Sequence, residues 1–379
     1  MIYLDSAATT LQKPPSVAKA AGWAINNLSS PGRGGHPFSM AAADTAFKCR
    51  ELAALLFNAG DPANVVLTPS ATHGLNIAIK SLVRPGGKVL ISGYEHNAVT
   101  RPLHALGAVI TVAESELFHP ESALYAFESQ LSEDLSAVVC NHVSNAFGYI
   151  LPIERIAQKC CERGIPLIID ASQSAGVLPI DFAELGATFV AMPGHKGLYG
   201  PQGTGLLLCA TPDIAKLPDV VIHGGTGGQS KSWEMPDFLP ERLEAGTQNM
   251  PGIAGLVAGL RFVCNKGAKN ILHHERTLIE RAASGLACLP RVTLYKSKQA
   301  YCQTGVLSFN IQGLSCDTVA EKLSCRGIAV RAGMHCAPLA HKSAGTYEYG
   351  TVRISVSAFN TRRDIAMFLN AAQDIVTKL

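Results

Sequence analysis

Between residues 64 and 210 short apolar runs alternate with helix-like segments, and this alternation constrains the fold more than any other feature. "NVVLTPS" (64–70) precedes "ATHGLNIAIKSLV", "GKVLISGYEH" (87–96) precedes "NAVTRPLHALG", and "LSAVVCNHVSN" (135–145) precedes "PIERIAQKCCERG". "IPLIIDASQSAG" (165–176) precedes the short "DFAELG", and "ATFVAMPGHKG" and "GTGLLLCA" follow. Val138-Val139-Cys140 and Leu167-Ile168-Ile169 are apolar at consecutive positions, as strands buried on both faces are. Strand–helix repetition of this kind predicts an α/β fold, a mostly parallel sheet covered by helices. The 379 residues, 47% hydrophobic and 16% charged, can bury a large core and are long for a single one, so two domains are expected.

The pattern changes after the glycine-rich "HGGTGGQS" (223–230). "PGIAGLVAGLRFVCNKG" (251–267) has helical periodicity, "VTLYKS", "TGVLSFNI" and "TVRISVS" read as strands of a smaller α+β unit, and "TRRDIAMFLNAAQDIVTKL" is an amphipathic helix. The first residues lack the basic and apolar regions of a signal peptide, and no apolar run reaches membrane-span length. A net charge of +3 without a basic run argues against nucleic-acid or membrane-surface binding. Eleven cysteines, an odd number without zinc-type pairs, suggest reduced thiols in the cytoplasm and no metal site. Most are expected to be inert and buried, Cys140, Cys209 and Cys264 among them.

In an open α/β sheet ligands bind at the carboxyl ends of the strands. The residues there are Ser70, Ala71 and Thr72 at a strand-to-helix turn, then His96, Asn145, Asp170, Gln173, His195 and Lys196. Each alone has an ordinary explanation: Ser70, Thr72 and Asp170 as helix caps, His96 as a packed or surface ring, Lys196 as an exposed loop lysine. Their joint occurrence at successive strand ends describes a pocket for pyridoxal phosphate (PLP). Such a pocket needs a lysine amine for the aldehyde, a carboxylate for the pyridine nitrogen and donors for a phosphate. A Rossmann-type nucleotide site is the competing reading, but no strand-Gly-x-Gly-x-x-Gly-helix unit occurs.

The chain resembles the class V aminotransferase group of fold-type I PLP enzymes, and within it the cysteine desulfurase and selenocysteine lyase family. The resemblance runs nearly end to end, through "YLDSAATT", "SATHGLN", "EHN", "HVSNAFG", "DASQ", "GHK", "RLEAGTQN", "RAGMHCA" and "VRISVSAFNT"; "RAGMHCA" is similar to the reactive-cysteine loop of the group II branch. It implies a large domain with a mostly parallel seven-stranded sheet (16–250), a smaller α+β domain carrying the reactive-cysteine loop (251–379), and an N-terminal segment (1–15) joining the small domain. It implies a homodimer that converts L-cysteine to L-alanine and carries the sulfur as a persulfide for an acceptor protein or thiol. The related alternatives are a selenocysteine lyase, a class V aminotransferase, or a PLP-binding scaffold without activity.

By the same resemblance Lys196 forms the Schiff base and then moves protons, Asp170 pairs with the pyridine nitrogen, and Gln173 bonds the ring hydroxyl. His96 lies on the ring, and Asn145 sits near the ring hydroxyl and the substrate carboxylate. Ala71, Thr72, His195 and a second subunit's Thr247 serve the phosphate, Arg353 grips the substrate carboxylate, and Cys336 is the nucleophile. The glycine-rich surroundings of Cys336 read as a mobile loop, and neighbouring His335 favours a reactive thiol. Three positions depart from the family's pattern: Pro193 stands where serine or threonine is frequent, Ala71 lacks a hydroxyl, and His73 replaces a frequent glutamate. In "SSPGRGGHPFS" (29–39), Arg33 and His36 serve the substrate or, the favoured reading, order the loop.

Overall fold

The computed structural model describes residues 1–32, 34–210 and 218–379. Arg33 lies outside the described residues.

A seven-stranded sheet organises the larger unit, in the spatial order Val65–Thr68, Gly205–Cys209, Phe189–Pro193, Leu167–Asp170, Leu135–Asn141, Lys88–Ser92 and Val109–Ala113. Gly205–Cys209 runs antiparallel to both its neighbours, and every other pairing is parallel. Alternate residues of each strand feed two separate cores, as the two-residue side-chain period requires. Val138, Cys140, Leu167 and Ile169 face the helices Pro37–Phe57, Ile153–Glu162 and Met250–Lys266. Ala137, Val139 and Ile168 face Ala71–Leu82 and Asn97–Ala105. The continuous apolar runs in the sequence are therefore strands covered on both sides. Of the thiols expected to be buried, Cys140 and Cys209 lie in these cores, whereas Cys264 is exposed. It falls on the outer side of a helix that buries Leu256, Leu260 and Val263 instead.

The smaller unit is a four-stranded antiparallel sheet in the order Arg331–Gly333, Thr351–Ser355, Val306–Ile311 and Val292–Tyr295. The helices Ala268–Ala287, Cys316–Ser324 and Arg362–Thr377 cover it, sharing a core that includes Leu278, Leu307, Phe309, Ile354 and Phe368. The last helix starts with a reciprocal cap, Thr361 accepting from the Asp364 N–H while Asp364 accepts from the Thr361 N–H. The N-terminal strand Ile2–Tyr3 pairs in parallel with Ile328–Ala329, and Leu4 enters the small core.

Met250–Lys266 shows how the fold positions the turn that follows Lys196. Its Leu256 and Leu260 are fully buried in the large core. Its glycines let the backbones meet: a Cβ at Gly259 would lie 2.3 Å from the Leu198 carbonyl oxygen and 2.9 Å from the Gly200 nitrogen. Backbone atoms cannot move aside as a side-chain tip can. Gly259→Ala is accordingly expected to lower stability by about 1–3 kcal/mol through overpacking, seen as a lower urea midpoint with an unchanged m-value.

Candidate active site

The carboxyl ends of five strands converge on one cavity. Its wall includes Ala71 and Thr72, His96, Asn145, Asp170 and Gln173, and His195 with Lys196. These are the expected cofactor-binding residues other than Thr247, delivered from strand ends far apart in sequence. Ser70, Asn141, Val143, Ser172 and Pro193 complete much of the wall.

Ser70 caps the helix Ala71–Leu82, its Oγ accepting from the His73 N–H at 3.2 Å. The Gly74 N–H goes to the Ser70 carbonyl at 3.2 Å. The N–H groups of Ala71 and Thr72 have no intrahelical acceptor and are left at the positive end of the helix, an arrangement that suits an anion. Pro193 contributes no N–H to this wall.

Lys196 lies in an environment that disfavours its charge. Burial is the main cause, lowering it from 10.5 to about 8, while Asp170 and Asp5 oppose the shift and Arg353 and Arg331 add to it. A lysine at about 8 is a usable nucleophile near neutral pH. Asp170 is 4% exposed, and its Oδ1 accepts from the Ser172 N–H at 2.9 Å. His96 caps the helix Asn97–Ala105 with Nδ1 accepting from the Ala98 N–H at 3.0 Å, which leaves its neutral-form proton on Nε2. Burial lowers its pKa, with Asp170 pulling the other way. His195 is also neutral: burial, then Lys196 and Lys13, push it down to about 4, and Nδ1 meets Thr9 Oγ1 at 3.0 Å.

The N-terminal segment braces this turn. Thr10 donates through its N–H and its hydroxyl to the His195 carbonyl at 3.2 and 3.0 Å, and Lys13 Nζ donates to the same oxygen at 2.7 Å. Ala7 accepts from Gln173 Nε2 at 2.9 Å. Motif reading took "SAATT" for a family opening without seeing this bracing role.

Arg353, on the strand Thr351–Ser355, borders the cavity through Asn145. Its Nη1 donates to the Asn145 carbonyl at 2.8 Å and its Nη2 to Asp5 Oδ1 at 2.9 Å, while Nε is buried without a partner. Asp5 also takes Arg331, whose Nε and Nη2 reach Oδ2 at 3.0 and 2.8 Å. Two guanidinium groups thus share one carboxylate, leaving a net positive charge and an unpartnered buried donor beside Asn145, whose Oδ1 is likewise buried and unpartnered. This Asp5–Arg331–Arg353 cluster joins residues hundreds of positions apart and has no local sequence signal. Asn141 was discoverable, since it ends a strand and pairs in register with Asp170.

The surroundings of Cys336 differ from the sequence expectation. The glycine-rich stretch contains the strand Arg331–Gly333 and the helix Pro338–Ser343, joined by a tight turn in which Ala337 N–H donates to Met334 O at 2.9 Å. The glycines here serve turns, Gly333, Gly345 and Gly350 all having positive φ, and Gly350 also meets the Gly333 backbone closely. The Cys336 carbonyl accepts from the Asn97 N–H at 2.8 Å, next to His96, and Asn145 Nδ2 donates to the His335 carbonyl at 2.6 Å. His335 and Cys336 both have positive φ, 50° and 56°, a strained conformation for residues with side chains. The thiol is exposed. His335 does not supply the activating charge expected of it. It is buried with Nε2 on Thr351 Oγ1 at 3.2 Å, and burial, aided by Arg353 and His341, holds its pKa well below 6.5. Arg331, five residues earlier, interacts electrostatically with Cys336.

Thr247 is exposed and outside the Lys196 cavity of its own chain. His36 caps the helix Pro37–Phe57, Nδ1 accepting from the Ser39 N–H at 3.3 Å, in keeping with a loop-ordering role.

Residues 2–368 match the aminotransferase class-V family. A "Cysteine desulfurase" of Escherichia coli O127:H6 is 31% identical, with 99% of this chain and 93% of that protein aligned. A "Probable cysteine desulfurase" of Mycolicibacterium paratuberculosis is 32% identical over 99% of this chain, which spans 55% of that longer protein. Among solved structures, the apo cysteine desulfurase from Thermococcus onnurineus NA1 superposes with a TM-score of 0.92 at 30% identity, covering 100% of this chain and 95% of that one. The cavity built around Lys196 and the exposed thiol tied to it thus sit in a chain that belongs to the aminotransferase class-V family and, within it, to the cysteine desulfurases.

Proposed function

We propose that the protein is a PLP-dependent cysteine desulfurase that turns L-cysteine into L-alanine and holds the sulfur as a persulfide on Cys336. The observation that carries this reading is the pairing of a buried lysine of lowered pKa, on the same cavity wall as Asp170, with an exposed cysteine tethered to that wall. The cavity's chemistry fits the cofactor. The free N–H groups of Ala71 and Thr72 suit its phosphate, Asp170 its pyridine nitrogen, the unpartnered Asn145 Oδ1 its ring hydroxyl, and the Lys196 amine its aldehyde. Gln173 would assist at the ring hydroxyl, His96 would face the ring, and His195 would add to the phosphate site. When bound, PLP supplies an electron sink at the substrate's Cα.

The remaining steps belong to the chain. Arg353, whose Nε has no partner, is the residue to take the substrate carboxylate in this reading, with a planar fork that lysine cannot reproduce. Lys196 Nζ takes the proton from Cα and returns one. The Cys336 thiolate attacks the substrate sulfur: an S–S bond forms, the substrate Cβ–S bond breaks, and the carbon takes a proton. Atoms balance as enzyme thiol plus cysteine giving enzyme persulfide plus alanine, with no outside oxidant. The sulfur then leaves by thiol exchange to an acceptor protein or small thiol.

Two copies complete the assembly in this reading. The exposed Thr247 reaches the partner's phosphate site, and the exposed apolar residues Trp23, Phe38, Met40 and Phe47 support burial between subunits. The pairing of Ile2–Tyr3 with Ile328–Ala329 favours placing the N-terminal strand with the small domain, and the packing of Met250–Lys266 favours placing that helix with the large one. A cytoplasmic location suits an exposed reactive thiol; among the described residues no helix is long and apolar enough to cross a membrane. The test is incubation of the PLP-loaded protein with L-cysteine and quantification of alanine. Stoichiometric release of alanine and sulfide is expected; pyruvate formation, or amino transfer to an added keto acid in its place, would contradict the reading.

A further inference from the structure

Glu275 has no evident task in the reaction as described. It lies on the buried face of the helix Ala268–Ala287, one helical turn from Leu272 and from Leu278 and Ile279, and is only 5% exposed. Among the described residues its carboxyl group has no hydrogen-bond or ion-pair partner. Unpartnered buried carboxyl groups are unfavourable and therefore uncommon. Gly305 packs directly against it: a Cβ there would come within 2.6 Å of Glu275 Oε2 and 2.8 Å of its Cβ.

The carboxyl group opens on a second cavity, of ≈ 30 Å³, large enough for water. Lys196 lines this cavity as well as the first one, and so does Gln173. The hydroxyl-bearing residues Ser6, Ser172 and Thr304 add polar surface to its wall. Its titratable lining groups are Lys196, Tyr199 and Glu275. Tyr199 stays a neutral phenol, because burial and then Glu275 raise it strongly, and its oxygen accepts from the Ala358 N–H at 2.9 Å.

We propose that Glu275 is the proton partner of Lys196, exchanging with it through water in the cavity that both residues line. The proposal rests on the reading of Lys196 as the base at Cα. The Lys196 ammonium passes a proton to cavity water, which delivers one to the Glu275 carboxylate. A neutral amine and a neutral carboxylic acid result, and the reverse transfer restores the charges. The proton count is unchanged, and the neutral pair is the better tolerated in a buried site. Burial brings the affinities together from opposite sides, Glu275 rising from 4.5 and Lys196 falling from 10.5, each to about 8. On the other wall of Lys196, Asp170 favours the ammonium while Arg353 opposes it, so the front of the pocket sets the poise and Glu275 supplies the exchange partner.

The test compares wild type, Glu275→Gln and Glu275→Asp in two ways. In the PLP-loaded enzyme, Glu275→Gln should lower kcat for alanine formation about tenfold with KM unchanged, and move the pH profile of kcat; Glu275→Asp should recover part of the loss. In the full-length chain without cofactor, the pH dependence of Lys196 acetylation, followed by peptide mass spectrometry, reports the lysine itself. Loss of the carboxylate should shift its midpoint to lower pH in Glu275→Gln, with Glu275→Asp nearer wild type. An unmoved midpoint, or an unchanged kcat and pH profile, overturns the relay. Failure of the desulfurase reading would look different: wild type would form no alanine, while the acetylation midpoint would still respond to Glu275.

Discussion

Replacing Lys196 with alanine is expected to reduce alanine formation from cysteine by at least about 10³-fold, near the upper range for loss of a proton-transfer group. The variant should also show no covalent label after borohydride reduction in the presence of PLP. Among the described residues Lys196 is the sole lysine on the wall of its cavity. Lys13, the lysine braced against the same turn, has its Nζ on the His195 carbonyl and cannot take over. Lys196→Arg should fail as fully, because a guanidinium stays protonated and offers no amine nucleophile. The wild-type lysine should show its poise directly. With a midpoint of about 8, half of it is neutral at pH 8, whereas an ordinary lysine near 10.5 would be only ~0.3% neutral there. Its acetylation should therefore rise between pH 7 and 9 and level off above that. Continued rise toward pH 11 would mean that the pocket does not lower its pKa.

Replacing Cys336 with alanine is expected to preserve PLP binding and the thermal midpoint while lowering sulfide release about 10²-fold or more. The side chain is exposed, so its loss opens no cavity. The turn around it is held by backbone bonds, from Asn97 N–H to the Cys336 carbonyl and from Asn145 to the His335 carbonyl. Serine at the other exposed thiols, Cys161, Cys264, Cys288 and Cys325, should leave turnover near wild type, since none of them is tied to the cavity wall as the Cys336 turn is through Asn97 and Asn145. His335→Gln should change turnover far less than Cys336→Ala, because the neutral ring faces Thr351.

What could be read from sequence follows from the range of the interactions involved. Asp170 and Lys196 stand at the ends of strands that announce themselves as apolar runs, so the strand-end rule located them without any knowledge of tertiary contacts. Ala71 and Thr72 were legible for the same reason, since a helix start leaves its first N–H groups free wherever it is placed. The strand Arg331–Gly333 was hidden, being three residues long and hydrogen-bonded to one neighbour. Its glycine-rich continuation looked mobile because composition reports backbone freedom, not the two tethers that remove it. His335 carried a similar ambiguity: adjacency to Cys336 in sequence suggested activation, but the chain turns its ring inward. The ion pairs of Asp5 with Arg331 and Arg353 span separations of 326 and 348 residues, beyond any local pattern. Glu275 belongs to no motif, and only its burial and the cavity behind Lys196 distinguish it.

The central claim is that one chain places a PLP-holding lysine and a sulfur-accepting thiol in the same reaction. Peptide mass spectrometry of Cys336 after brief incubation of the PLP-loaded protein with L-cysteine tests it most directly. The account predicts a gain of one sulfur atom on the Cys336 peptide, reversed by a thiol reductant and absent in Lys196→Ala. Alanine formation with Cys336 unmodified, or with the added sulfur on another cysteine, would contradict it.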